Sequence, residues 1–458
     1  LEFETWWGGH VNLNAEEIQW IVDQLFIGNR LATAEIITGD RVLIDFRNIR
    51  SPIICFCSKG DNITPPQQAL GWINDLYKND ADLLACNQTI IYAIHENIGH
   101  LGIFVSGSVA KKEHEEFASN IDLIDILPPG LYEAVMTPKT EGTVHSDLVS
   151  GDWITRFEPR TLSDIRDIVQ PKTENELRFA TVRRVSEINL GLYRTLLQPF
   201  IRATANDQTA DWLQKINPVT LPFEFFSDRN PLMQQTAELA ELVRDHRQPS
   251  SSDNYLFLVQ SMISEGIITT LNNWRDFRDR TMEQFFLGIY NSTILQALTG
   301  LLASDGELRR HPGMEPAWIE FIIKRINELK SHITDGGIHE AAVRSLIYIN
   351  IDKPVIDERN FELFRQIRSK RNDITLAELK KLIREQFFAI LLDRDAALAA
   401  IPTMLSSTNS DDKTKTLEVI IRIASATGEL TSMQVERLAQ IEKLFKSGLK
   451  DINARLKI

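Results

Sequence analysis

Two short apolar runs, Pro52–Cys57 and Thr89–Ile94, constrain this chain more than any other feature. Each is too short for a buried helix and lacks the apolar–polar alternation of a half-exposed strand. Each therefore reads as a strand covered on both faces, the pattern of a parallel sheet. Between them, Thr64-Pro65-Pro66-Gln67 opens a helix, with Thr64 as cap, Pro at the first position and Gln at the third. Leu70, Ile73 and Leu76 carry that helix onward at helical spacing. Strand, helix, strand in this rhythm implies parallel crossovers, and a further helix is expected over about Val109–Phe117. Ahead of the sheet, Asn14 and Glu17 have capping-box spacing before Ile18, Ile21, Val22, Leu25 and Phe26.

With 458 residues the chain is too long for one core, and two or three domains are expected. Residues 1–130 read as α/β. Residues 131–160 read as a strand-containing connection, with strands at Tyr132–Met136 and Trp153–Phe157 around a polar loop. Residues 161–300 read as helical, and so do 301–458, with almost no strand from Thr161 onward. In the last region Leu302-Ala303-Ser304-Asp305-Gly306-Glu307-Leu308 echoes Ala424-Ser425-Ala426-Thr427-Gly428-Glu429-Leu430. These turns resemble the Asp-Gly-Glu-Leu turn of TerB-like domains, which implies two related helical modules.

Composition narrows the class. The 43% hydrophobic and 25% charged content is that of a soluble globular protein. A net charge of −13 is a poor match to phosphate backbones, so nucleic acid is not an expected partner. Three cysteines cannot build a disulfide framework for this length, which points to a reducing, cytoplasmic compartment. No run reaches about 18 apolar residues, so no membrane span is expected. The chain opens at Leu1 rather than at Met and shows no signal-peptide pattern, and it is read as a piece of a longer protein.

The residues suited to chemistry lie beyond the two strands. Asp61, in Lys59-Gly60-Asp61-Asn62, follows the first strand; His100, in Gly99-His100-Leu101-Gly102, follows the second. The carboxyl edge of an open parallel sheet is where ligands bind. An acid there can fix the tautomer of an imidazole and stabilise its charged form. The plain alternative is that Gly60-Asp61-Asn62 is a turn and His100 a surface loop residue. His95 competes with His100 but sits at the strand end, where it is less able to reach a neighbouring loop. Cys55, Cys57 and Cys86 read as core packing, since they lie in no nucleophile turn and in no metal-ligand spacing. Trp6-Trp7-Gly8-Gly9-His10 reads either as a substrate entrance or as packing under the first helix, and Arg365–Arg371 as a solvated charged face. No cofactor or metal is expected.

Taken together, Phe3–His10, Leu25–Leu31, Asp45–Pro52, Gly60–Pro66 and Gly99–Gly102 resemble the C-terminal part of the catalytic domain of poly(3-hydroxyalkanoate) synthases. The closer resemblance is to a bacterial synthase-like branch whose α/β-hydrolase domain carries a long helical extension. The resemblance implies an α/β-hydrolase fold, here its C-terminal part, followed by a mostly helical region. In that family a cysteine in a Gly-x-Cys-x-Gly elbow attacks an acyl thioester, with a histidine as base and an aspartate in support. Asp61 and His100 match the last two. The elbow has no counterpart here, and Asn62 stands where synthases commonly have histidine. The implied parent is an acyltransferase or (thio)esterase acting on acyl-CoA or hydroxyacyl esters, and this chain alone is expected to be inactive without the missing N-terminal part of the domain. The rival expectation is a non-catalytic scaffold whose helices bind a partner or a polymer granule.

Overall fold

The computed structural model describes residues 13–455 except 144–146, 148, 150, 219, 250, 252, 303–307, 351–355, 358, 360, 361, 363–374 and 425–429. The Trp6–His10 segment, the basic stretch Arg365–Arg371 and both Gly-Glu turns of the echoed repeat lie outside the described residues. By internal contacts the chain divides into two units. One comprises Leu1–Asn29 and Lys172–Arg309; the other comprises Arg30–Pro171 and Arg310–Ile458.

The second unit contains a short antiparallel pair, β1 (Ile36–Ile37) and β2 (Leu43–Ile44), and a five-stranded sheet. The larger sheet runs β3 (Ile53–Ser58), β4 (Thr89–His95), β5 (Gly130–Pro138), β6 (Trp153–Arg160), β7 (Ile356–Asp357), in that spatial order. β3, β4 and β5 are parallel; β6 and β7 each pair antiparallel with the strand before. The two apolar runs are therefore neighbouring parallel strands, with Ser58 opposite His95 at their carboxyl ends. The sheet is covered on both faces. Cys57, Ile90, Tyr92 and Leu131 pack against Leu70, Ile73 and Leu76 of helix Pro66–Leu76 and against Leu162 and Ile165 of helix Leu162–Val169. On the other face Ile91, Ala93, Tyr132 and Phe157 meet Leu123, Ile124 and Ile126. Helix Leu376–Leu392 adds Leu379 and Ile383 to that face.

Three sequence expectations need correction. β5 is not part of a separate connection: it extends the parallel sheet, with Thr89 opposite Gly130 and Tyr92 opposite Glu133, and only β5–β6 forms the expected hairpin. The helical region 301–458 is not set apart from the sheet, because the second apolar face needs a cover and Leu379 and Ile383, one helical turn apart, supply it. Thr64 is not the helix cap. The cap is Pro65 and Pro66 takes the first position, because the Thr64 hydroxyl is bonded elsewhere.

A second core in this unit lies among helices Ile338–Asn350, Leu376–Leu392, Arg394–Met404 and Ser410–Ala424. Arg344 is buried within it, bonded to the carbonyls of Ile333 and Ala397 and to the Gln386 side chain.

The first unit is helical in its described residues. Its opening helix, Ala15–Ile21, carries the expected capping box, with Glu17 N–H donating to Asn14 at 2.7 Å and Asn14 N–H to Glu17 at 3.2 Å. Its longest helix, Tyr255–Tyr290, runs 36 residues. The unit buries few large side chains, and apolar residues from Phe200 to Ile289 stand exposed along its helices. No described helix in the chain is long and apolar enough to cross a membrane.

Candidate active site

The loops after β3 and β4 meet at the carboxyl edge of the sheet, and Gly60 is the reason they can. A Cβ at Gly60 would lie 2.5 Å from the Asn97 carbonyl carbon and 2.8 Å from the Ile98 oxygen. Only glycine lets the two backbones approach this closely. Lys59 N–H donates to the His95 carbonyl at 2.9 Å and carries the ladder one step past the strands.

Asp61 sits in this joint. Its side chain is fully buried, and each carboxylate oxygen accepts two hydrogen bonds. Oδ1 takes the backbone N–H groups of Ile63 (2.8 Å) and Thr64 (2.9 Å). Oδ2 takes the Thr64 hydroxyl at 2.7 Å and lies 2.8 Å from His100 Nδ1. Burial alone pushes the carboxyl pKa up. The bonds from Thr64 N–H, His100, the Thr64 hydroxyl and Ile63 N–H outweigh burial and hold it well below the usual carboxylate range. Asp61 is therefore ionised and acts as acceptor only.

That fixes the histidine. An acceptor-only oxygen 2.8 Å from Nδ1 requires a proton on Nδ1, which leaves the Nε2 lone pair available. The Thr64 hydroxyl spends its proton on Asp61 and sits 3.2 Å from Nδ1, where its oxygen can accept a second share of the same N–H. His100 is 34% exposed, and among the described residues nothing bonds Nε2. The arrangement is an oriented imidazole backed by a buried carboxylate, with its other nitrogen accessible, a geometry suited to general-base chemistry.

Of the residues singled out in the sequence, Asp61 and His100 are brought together. His95 is not part of this pair. It faces the opposite layer of the sheet, with Nδ1 accepting from Asn97 N–H at 3.3 Å and Nε2 at 4.0 Å from Glu113. Cys57 is buried with its thiol directed at the Ala93 carbonyl. Burial first, then the neighbouring Cys55 thiol group and the Asp61 carboxylate, which disfavour a further negative charge, push its pKa up to about 12. Burial likewise raises Cys55 to about 11 and Cys86 to about 12. All three are thiols rather than thiolates, in keeping with core packing. Among the described residues no cluster of His, Cys, Asp or Glu could hold a metal ion.

Thr64 is the functional residue that the sequence reading missed. Its signal was present, since a Thr three residues after an Asp can close a turn on that carboxylate, but a Thr before two prolines reads equally well as a helix cap.

Residues 1–333 match DUF3141, a family described as protein of unknown function. An uncharacterized protein in the ackA 5′ region of Rhizobium meliloti is 47% identical over 451 residues, 97% of this chain and 61% of that protein. The chain thus spans about three fifths of that relative's length. No solved structure matches it significantly. The chain belongs to the DUF3141 family.

Proposed function

For this DUF3141 chain we propose the C-terminal portion of an α/β-hydrolase-fold, synthase-like protein, in which Asp61 and His100 are the acid and base of a nucleophile–His–Asp triad. The observation that carries the reading is the buried, four-bonded Asp61 holding His100 by Nδ1 at 2.8 Å, on adjacent loops beyond two parallel strands. The chain order, acid then histidine, is that of α/β-hydrolases. The reaction is acyl transfer or hydrolysis of a hydroxyacyl ester or thioester. His100 Nε2 takes the proton of a nucleophile supplied by residues outside this sequence and returns it to the leaving group. Asp61 keeps the imidazole in the useful tautomer and stabilises its cation.

A scaffold role is the second reading, favoured by the exposed apolar helices of the first unit. Release of CoA from 3-hydroxyacyl-CoA separates the two. The longer protein turns over and the 458-residue chain alone does not, because the nucleophile and its oxyanion donors lie elsewhere. Asp61→Asn in the longer protein lowers the rate by roughly 10³–10⁴, as expected when a triad loses its acid. A longer protein with no turnover, bound to substrate or not, leaves the scaffold reading standing and removes the enzymatic one.

A further inference from the structure

The helix Tyr255–Tyr290 carries a continuous apolar stripe that no described residue of its own unit covers. Leu256, Val259, Ile263, Ile267, Leu271, Trp274 and Phe277 recur at three- and four-residue steps, so they share one face. Each is 44–62% exposed. The opposite face holds Ser261, Glu265, Asn272, Asp276 and Asp279, with Leu258 exposed among them near the helix start. Only beyond this stretch does the helix find cover, where Phe286 packs on Phe179. A long amphipathic helix in water buries its apolar stripe against something.

We propose that the stripe is a homodimer interface, formed by two copies of this helix packed antiparallel and crossing at Gly266. Three observations select a second copy. The first is area. The seven side chains leave roughly 800 Å² exposed per copy, so pairing two copies buries up to about 1,600 Å², the size of a standard stable interface. The second is self-complementarity. Gly266 lies on the flank of the stripe, and a Cβ there would meet nothing within 4 Å. Glycine in a helix interior weakens the helix unless a second backbone needs the room. The stripe's midpoint, halfway between Leu256 and Phe277, falls between Gly266 and Ile267. Antiparallel pairing about that point sets Ile267 of one copy over Gly266 of the other, Ile263 opposite Thr270, Val259 opposite Trp274, and Leu256 opposite Phe277. Large residues face small ones at the crossing, where the helices are closest, and face large ones towards the ends, where they diverge. Such an interface is isologous and closes on itself.

The third observation is charge. Helices that lie on membranes carry Lys and Arg on their polar face. This helix has no Lys, its four acids (Glu265, Asp276, Asp279, Glu283) outnumber its three Arg, and Arg275 and Arg278 are each paired with the neighbouring Asp276 and Asp279, so no cationic face is presented. An anionic lipid surface is therefore disfavoured.

The test uses the full 458-residue chain, and its outcome is independent of any catalytic activity. Sedimentation equilibrium at micromolar concentration gives a dimer, and Ile267→Asp weakens it at least 100-fold. Gly266→Leu, which improves helix propensity, weakens it at least 10-fold while helical circular dichroism is kept, so the loss is not one of folding. Under oxidation Ile267→Cys links to its own copy and Leu256→Cys does not, but a mixture of Leu256→Cys and Phe277→Cys chains does. A monomer at all concentrations overturns the proposal. So does a dimer unaffected by either substitution, a Leu256→Cys chain that links to itself, or binding to phosphatidylglycerol vesicles that Ile267→Asp abolishes.

Discussion

At Asp61 the protein stabilises a charge in a place where burial alone would neutralise it. The four hydrogen bonds it accepts lower its pKa below the unfolded value, so the sign of its contribution is set. The stabilisation is present above the unfolded value of about 4 and is lost as pH falls through the lowered native value. Asp61→Asn removes the acceptor that Thr64 and His100 share. The variant therefore has a lower urea midpoint than the wild type at pH 7, and the gap narrows as pH is taken below about 4. A gap that widens in acid would show that Asp61 is protonated in the native state. Gly60 makes the more drastic prediction. Gly60→Ala forces the Asn97 backbone away and separates the loops that carry Asp61 and His100. A destabilisation on the order of 2–4 kcal/mol is expected from urea titration. How much of this was legible is clear from particular residues. Asp61 and His100 stood out because each follows an apolar strand. Thr64 and Gly60 did not, because a turn reads the same whether or not it bonds a functional carboxylate or presses against another loop.

Elements were legible where burial leaves a local pattern. β3 and β4 show as apolar runs, and the capping box at Asn14 sits where its spacing puts it. The parallel pairing of β5 with β4 was not legible, because pairing direction is set by what crosses over, not by the strand's own residues. Arg344 was equally hidden. An arginine at one position of an amphipathic helix reads as surface, yet this one is 1% exposed. It ties two other segments together through the Ile333 and Ala397 carbonyls. Burial pulls its pKa down to about 10, so it remains charged at neutral pH. Arg344→Met keeps the volume but removes both carbonyl bonds and strands the Gln386 oxygen, and is predicted to cost roughly 3 kcal/mol of chemical stability. A neutral or stabilised Arg344→Met would mean that the hydrogen bonds are incidental to the packing.

For the whole molecule, the division into units was the least legible feature. Helix Leu376–Leu392 covers a sheet face whose strands lie more than two hundred residues earlier, and no local pattern announces that. Asp61 and His100 lie at the carboxyl edge of this sheet, every cysteine is held as a protonated thiol, and a relative at 47% identity is longer by about two fifths of its own length. In the proposed function this chain supplies the proton-handling half of a covalent mechanism. The most direct test is the single-turnover rate of CoA release from 3-hydroxyacyl-CoA by the longer protein, compared among wild type, His100→Ala and Cys57→Ala. The expected loss for His100→Ala is roughly 10³-fold or more. The expected rate for Cys57→Ala is within about threefold of wild type, its cost falling on stability through the small cavity it opens. An unchanged rate for His100→Ala, or a rate abolished in a folded Cys57→Ala protein, would rule out the proposed roles of both residues.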